Sequence, residues 1–170
     1  MSDYLFDPSL LTDLPTTRPN LTIRPLRAND HALGYDTILH PLASDQAPLS
    51  QETFRSKFAL MVDQVPRTYH TIVVVDSAGP GDRIVGSSTL LLEHKFLRSG
   101  AVAGHIEDVV VSPSHQGQKL GRVMVEALTA LARRLGCYKV ILDCSPENVG
   151  FYEKCGYQSK GIEMKRYLAQ

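Results

Sequence analysis

The sequence carries no surplus of charge. Eighteen Lys and Arg stand against eighteen Asp and Glu in 170 residues, a formal net charge of zero. That balance leaves no basic field to hold a nucleic acid or an anionic membrane, so no nucleic acid and no membrane are expected as partners. A small or locally recognised substrate fits better. Cysteine is scarce. Cys137, Cys144 and Cys155 are odd in number and never in C-x-x-C spacing, which speaks against a disulfide framework or zinc site and for buried thiols. The six histidines form no H-x-x-x-H or H-x-H pair, so no metal is expected. No apolar run approaches the ~18 residues of a membrane span, and the N-terminal MSDYLFDPSLL lacks the basic flank and long apolar core of a secretory leader. The expectation is a cytoplasmic protein.

What is present suffices for one globular domain, with 43% apolar residues to build a core. Pro8, Pro15 and Pro19 mark residues 1–20 as an irregular N-terminal arm rather than a core element, leaving 21–170 as a single domain. LTIRPL (21–26) alternates as a strand. Asn29 and Asp30 can cap a helix running to about Leu39. A second helix starts near Ser50, with Phe54, Phe58, Met61, Val62 and Val65 on its apolar face and Pro66 at its end. The runs 69–76 and 83–96 flank the turn-rich SAGPGD and predict an antiparallel hairpin. A further strand at 105–112 stops at Pro113. Leu120, Met124, Ala127, Leu128, Leu131 and Leu135 then trace one face of a long helix closed by Gly136, and KVILDCS (139–145) follows as a β-rich run. Strand, helix and strand at these lengths predict a crossover between two parallel strands. A short helix at 147–155 and a last strand at 161–168 complete a mixed α+β or α/β fold, with a central sheet and helices on both faces.

HQGQKLGRVMVE (115–126) opens the long helix on a glycine-bearing loop, where unpaired N–H groups and the helix dipole favour an anion. It is neither standard phosphate loop. G-x-x-x-x-G-K-[ST] fails at Arg122 and Val123, and G-x-G-x-x-G fails at Lys119. Elsewhere, Glu107 and Asp108 interrupt the branched run HIEDVVV. They mark either a solvated strand end or a general base. Glu107 shares a face with Val109 and Val111, where partial desolvation would raise a carboxyl pKa. Only a bulge would aim both carboxylates into one cleft. Tyr152, on the short helix, is either an aromatic packed on the sheet or a donor to a departing anion. Asp143, in the middle of KVILDCS, is either a ligand contact or a satisfied buried carboxylate.

GHIEDVVV, QGQKLG, CYKVILDC and NVGFYEKCGY, in that order, resemble the GNAT superfamily of N-acetyltransferases. The similarity runs from about Leu21 to Leu168 and is dense from Lys95 onward. It implies one acetyltransferase domain with a twisted mixed sheet and a splayed parallel pair, 105–112 and 139–145. It also implies acetyl-CoA as co-substrate, with the pyrophosphate on 116–122 and the pantetheine between the splayed strands. The reaction implied is direct acetyl transfer to the 2-amine of glucosamine 6-phosphate, a step toward UDP-N-acetylglucosamine, in a homodimer. Carried over, Glu107 is the general base, Tyr152 faces the sulfur, and Asp143 lies beside substrate and thioester. Val109, Val110 and Val111 supply backbone groups. Gln116, Gly117, Gln118, Lys119, Leu120, Gly121, Arg122, Asn148 and Tyr152 complete the coenzyme contacts. Lys95, Phe96, Leu97, Arg98, Glu107, Asp108, Val109, Tyr138 and Lys139 match the sugar-phosphate contacts, and a basic residue of MKRYL, Lys165 or Arg166 with Arg166 preferred, matches one that reaches phosphate across the dimer. Lys119 replaces the superfamily glycine and gives no reason to expect positive φ there. A different amine acceptor, or a non-catalytic acyl-CoA-binding module, are the competing readings.

Overall fold

The structure is a computed structural model describing residues 3–12, 18–42 and 47–168. Pro15 of the expected arm lies outside them. Five strands form one sheet in sequence order: β1 (Leu21–Pro25), β2 (Tyr69–Asp76), β3 (Arg83–His94), β4 (Val102–Val111) and β5 (Cys137–Leu142). Neighbours are antiparallel except β4 and β5, which run parallel. The uninterrupted branched run IVVV of β2 has no alternation to show because the strand is central and covered on both faces. The parallel pair requires a crossover, which the long helix provides.

Among the described residues the α-helical segments are α1 (Tyr35–Leu39), α2 (Gln51–Val62), the single turn α3 (Leu97–Gly100), in which Arg98 and Ser99 are left-handed, α4 (Leu120–Arg134) and α5 (Val149–Lys154). α4 buries Leu120, Met124, Val125, Ala127, Leu128, Leu131 and Ala132 against the sheet. Its approach is close because the strands present glycine. A Cβ on Gly86 would stand 3.2 Å from Met124 Cε, and one on Gly104 would stand 3.4 Å from Ala132 Cβ. Ser87, one residue beyond Gly86 and so on the opposite face, meets Tyr35 of α1. The sheet therefore has helices on both faces.

Several expected boundaries shift for physical reasons. The helix expected from Asn29 to Leu39 is two pieces. A 3₁₀ turn over Asp30–Leu33 ends at left-handed Gly34 before α1 begins. Asn29 makes no side-chain cap there; instead buried Asp30 accepts two bonds from Arg24, at 2.7 and 2.8 Å, and one from the Arg27 N–H. Ser50 does cap α2, accepting from the Thr53 N–H, but the helix ends at Val62, so Val65 lies past it and is exposed. The N-terminal arm is irregular yet not peripheral, since Leu5 and Phe6 belong to the core and the Leu5 N–H donates to the Leu26 carbonyl at 2.7 Å. None of the cysteines is fully buried, and Cys144 is exposed. β5 ends at Leu142, so Asp143 lies beyond the strand rather than within it. Residues 161–168 form no strand: they pair with no strand of the sheet, and their large apolar side chains face solvent.

Candidate active site

The parallel ladder begins at Val102 and Cys137 and ends at Ile106 and Leu142. β4 continues to Val111 with β3 on one side only. Among the described residues, the backbone of Glu107–Val111 thus has no strand partner toward β5. This opening is the expected splay. α4 and α5 close over its far end. A Cβ on Gly121 would lie 3.3 Å from Phe151 Cζ and 3.8 Å from Val111 Cγ2, so the start of α4, the end of β4 and α5 converge there. The absence of a Cβ at Gly121 lets these elements pack this closely.

The loop before α4 is held from behind. Buried His115 places Nε2 3.2 Å from Asp76 Oδ2 and Nδ1 2.9 Å from Ser114 Oγ. Asp76 also accepts from the Ala78 N–H and the Asn20 amide, and these donors hold its carboxyl down at about 2. Gly117 and Lys119 are both left-handed, with φ of 77° and 63°. The absence of glycine at 119 therefore misled: the backbone adopts positive φ with a lysine in place. α4 starts directly after Lys119 without a side-chain cap, so its first N–H groups face the loop.

A bulge disrupts β4 at the paired carboxylates. Thr89 opposes Glu107 and Ser87 opposes Val110, leaving Asp108 and Val109 across from Ser88 alone. Asp108 takes φ of 52°, a conformation Asp tolerates better than the branched residues around it. The bulge brings its charge to Tyr35, on the face that also carries Glu107. Burial first, with Asp108 and Asp30 adding, pushes the Tyr35 phenol up to about 12. The partly desolvated carboxyl is Asp108, raised above its ordinary value by burial; Glu107 is 48% exposed.

Register places His105 between the acids. His105 opposes Leu91 and Ile141, on the same face as Glu107, two residues on. Its Nδ1 lies 3.4 Å from Glu107 Oε1 and its Nε2 3.3 Å from Asp143 Oδ2. Sequence reasoning passed over His105, although its i, i+2 spacing to Glu107 marked a shared face. His115 gave no comparable sign, since Asp76 is remote in sequence. At the β5 start, the Arg98 guanidinium lies 4.9 Å and the Lys139 ammonium 5.7 Å from the Tyr138 ring centroid. Lys95 pairs with Glu93, whose carboxyl is lowered by Lys95, Lys139 and His105. Lys139, opposite Ala103, lies on the face of Glu107, about 13 Å from it in strand rise. Phe96 and Leu97, between Lys95 and Arg98 in the chain, are exposed.

Tyr152 reaches the opening from α5, half-buried between Phe151 and Tyr157, with ring centroids at 4.9 and 6.3 Å. Burial, with Cys144, Cys155 and Tyr157 adding, raises its phenol, which keeps it a donor. Asn148 precedes α5 and donates to Ser145 Oγ at 3.0 Å. Arg166 lies in the exposed tail. Among the described residues, no group of three or more His, Cys, Asp or Glu is arranged to hold a metal, and no helix is long and apolar enough to cross a membrane.

A mixed sheet opened at the end of its parallel pair, with a left-handed loop leading into a crossover helix beside the gap, is the arrangement that the resemblance to the N-acetyltransferases implied. Residues 38–157 match the model of the acetyltransferase (GNAT) family, and the chain belongs to that family. Its similarity extends to particular members. The probable glucosamine 6-phosphate N-acetyltransferase 2 of Oryza sativa is 38% identical over 162 residues, 95% of this chain and 96% of the relative. The glucosamine 6-phosphate N-acetyltransferase of Schizosaccharomyces pombe is 54% identical over 102 residues, 60% of this chain and 90% of the relative. The crystal structure of the Arabidopsis thaliana glucosamine-6-phosphate N-acetyltransferase superimposes with a TM-score of 0.82 at 36% identity, covering 88% of this chain and 99% of that one.

Proposed function

We propose that the protein transfers the acetyl group of acetyl-CoA directly to the 2-amine of glucosamine 6-phosphate, giving N-acetylglucosamine 6-phosphate and CoA. The observation that carries this reading is similarity over nearly the whole length of a relative of that activity, joined to an opened β4 edge with a carboxylate beside it. The pantetheine lies along Val109–Val111, where an N–H that points away from β3 also meets the tetrahedral oxyanion. The pyrophosphate rests on the backbone of 116–122. Glu107 accepts the amine proton, and Tyr152 donates to the departing thiolate. Asp143 stands beside both. Lys95, Arg98 and Lys139 offer cations to the sugar phosphate. No covalent enzyme intermediate is needed.

Two features support a homodimer. β5 is an edge strand, and the tail that follows exposes Ile162, Met164 and Leu168, which fall on one face of an extended segment. The tail adds to the partner's edge and carries Arg166 toward the partner's phosphate site. Free thiols suit the reducing cytoplasm.

Thiol release from acetyl-CoA, measured against a panel of amines, tests the function. Turnover with glucosamine 6-phosphate well above that with peptides or polyamines is expected. A peptide amine turned over equally well or better would overturn it. Tight acetyl-CoA binding with none of the amines acetylated would favour a non-catalytic binding module.

A further inference from the structure

We propose that His105 is a positioning residue for the acetyl transfer: its imidazole, bracketed by Glu107 and Asp143, holds the Glu107 carboxylate toward the amine and ties it to the end of β5. The proposal rests on the function given above. Three observations carry it. His105 Nδ1 and Nε2 each lie within 3.4 Å of a different carboxylate oxygen. Nε2 is shut off from solvent and makes no aligned hydrogen bond among the described residues, so Asp143 is its available partner. The imidazole is 22% exposed, whereas Glu107 and Asp143 are 48% and 53% exposed. The ring is thus the fixed member, and the acids are free to swing.

A carboxylate can only accept, and a neutral imidazole has one N–H to offer. Only a doubly protonated ring can offer an N–H to both carboxylates at once; a neutral one serves one of them at a time. When Glu107 takes a proton from the amine, the need for the second N–H disappears, so the ring couples the base to Asp143 at the strand end. The other charged groups facing this site are Asp108 on β4, Glu93 on β3, Lys139 on β5 and Lys95 through Glu93; Lys165 of the tail faces Asp143. None of them substitutes for a ring wedged between the two acids.

The test compares His105→Asn, His105→Gln and His105→Leu in the full-length protein. The Asn amide can stand in for Nδ1 and so keep the link to Glu107; the Gln amide stands in for Nε2 and keeps only Asp143. His105→Leu should lower kcat by about tenfold or more while leaving the Kd of acetyl-CoA unchanged. His105→Asn should recover more kcat than His105→Gln. Parental kcat in all three, Gln recovering as well as Asn, or losses that track melting temperature alone would overturn the inference. No turnover by the parent itself overturns the proposed function and this inference with it. An active parent with unaltered variants overturns the inference only.

Discussion

Two residues of the site make different demands, and each can be tested singly. Glu107 must be ionised and within reach of an amine, and its half-exposed position beside a strand edge meets both needs. Glu107→Gln keeps the shape and removes the acceptor. It should cut turnover by about 100-fold or more while calorimetry finds acetyl-CoA binding intact; unchanged turnover across the pH range would remove Glu107 as base. Lys119 has no such chemical demand but holds φ of 63° with an L side chain. That conformation costs about 1–2 kcal/mol, which glycine escapes at the expense of some chain entropy. Lys119→Gly should therefore raise stability by up to about 1 kcal/mol in urea unfolding. It should also still bind acetyl-CoA, because the contact is through the backbone. Any advantage of the parent at low ionic strength should vanish as salt screens the ammonium. Lost binding in high salt would show that the side chain, not the loop backbone, holds the coenzyme.

Elements bring together what single residues cannot. β2 is buried along nearly its whole length and carries His70, 3% exposed, with Nδ1 unpaired and the Phe6 ring at 5.1 Å. Burial first, with Arg67 adding, lowers this imidazole from 6.5 to about 4, against a weaker upward pull from the Thr68 backbone. The unfolded chain binds a proton here before the folded one does. Its contribution to stability is full above pH 6.5 and is lost as pH falls toward 4. The loss should amount to about 2 to 3 kcal/mol. In His70→Leu, urea unfolding between pH 7 and 4.5 should flatten by that amount; curves parallel to the parent would refute it. The sheet that sets this burial was legible in the sequence. Branched runs marked the strands, SAGPGD the hairpin, and helical periodicity the face of α4. Its local departures were not. The bulge at Asp108, the left-handed Lys119 and the end of β5 at Leu142 depend on which backbone groups a neighbouring strand can pair, and periodicity within one segment carries no such information. Hence Glu107 was recognisable as a candidate base, and His105 as its neighbour on one face, while the desolvation of Asp108 and the approach of Asp143 to His105 were not.

At the scale of the whole molecule, the segment 161–168 was read as a strand, and its composition agrees; what it lacks is a partner in its own chain. Ile162 and Met164 are 89% and 90% exposed beside an open β5 edge, an arrangement that favours strand addition between copies. If the tail crosses, Arg166 serves the site of the other protomer, and activity becomes divisible between chains. A Glu107→Gln chain has a dead site but lends a good Arg166; an Arg166→Ala chain has a good base but lends a useless tail. Refolded together in equal amounts, half of the dimers would be mixed, and each would hold one site with both groups intact. That is about a quarter of parental sites, where either variant alone has almost none. Recovery of roughly that fraction, with sedimentation velocity reporting dimers throughout, would establish the crossed tail. If Arg166 instead served its own chain, every site in the mixture would lack one group, and mixing would restore nothing.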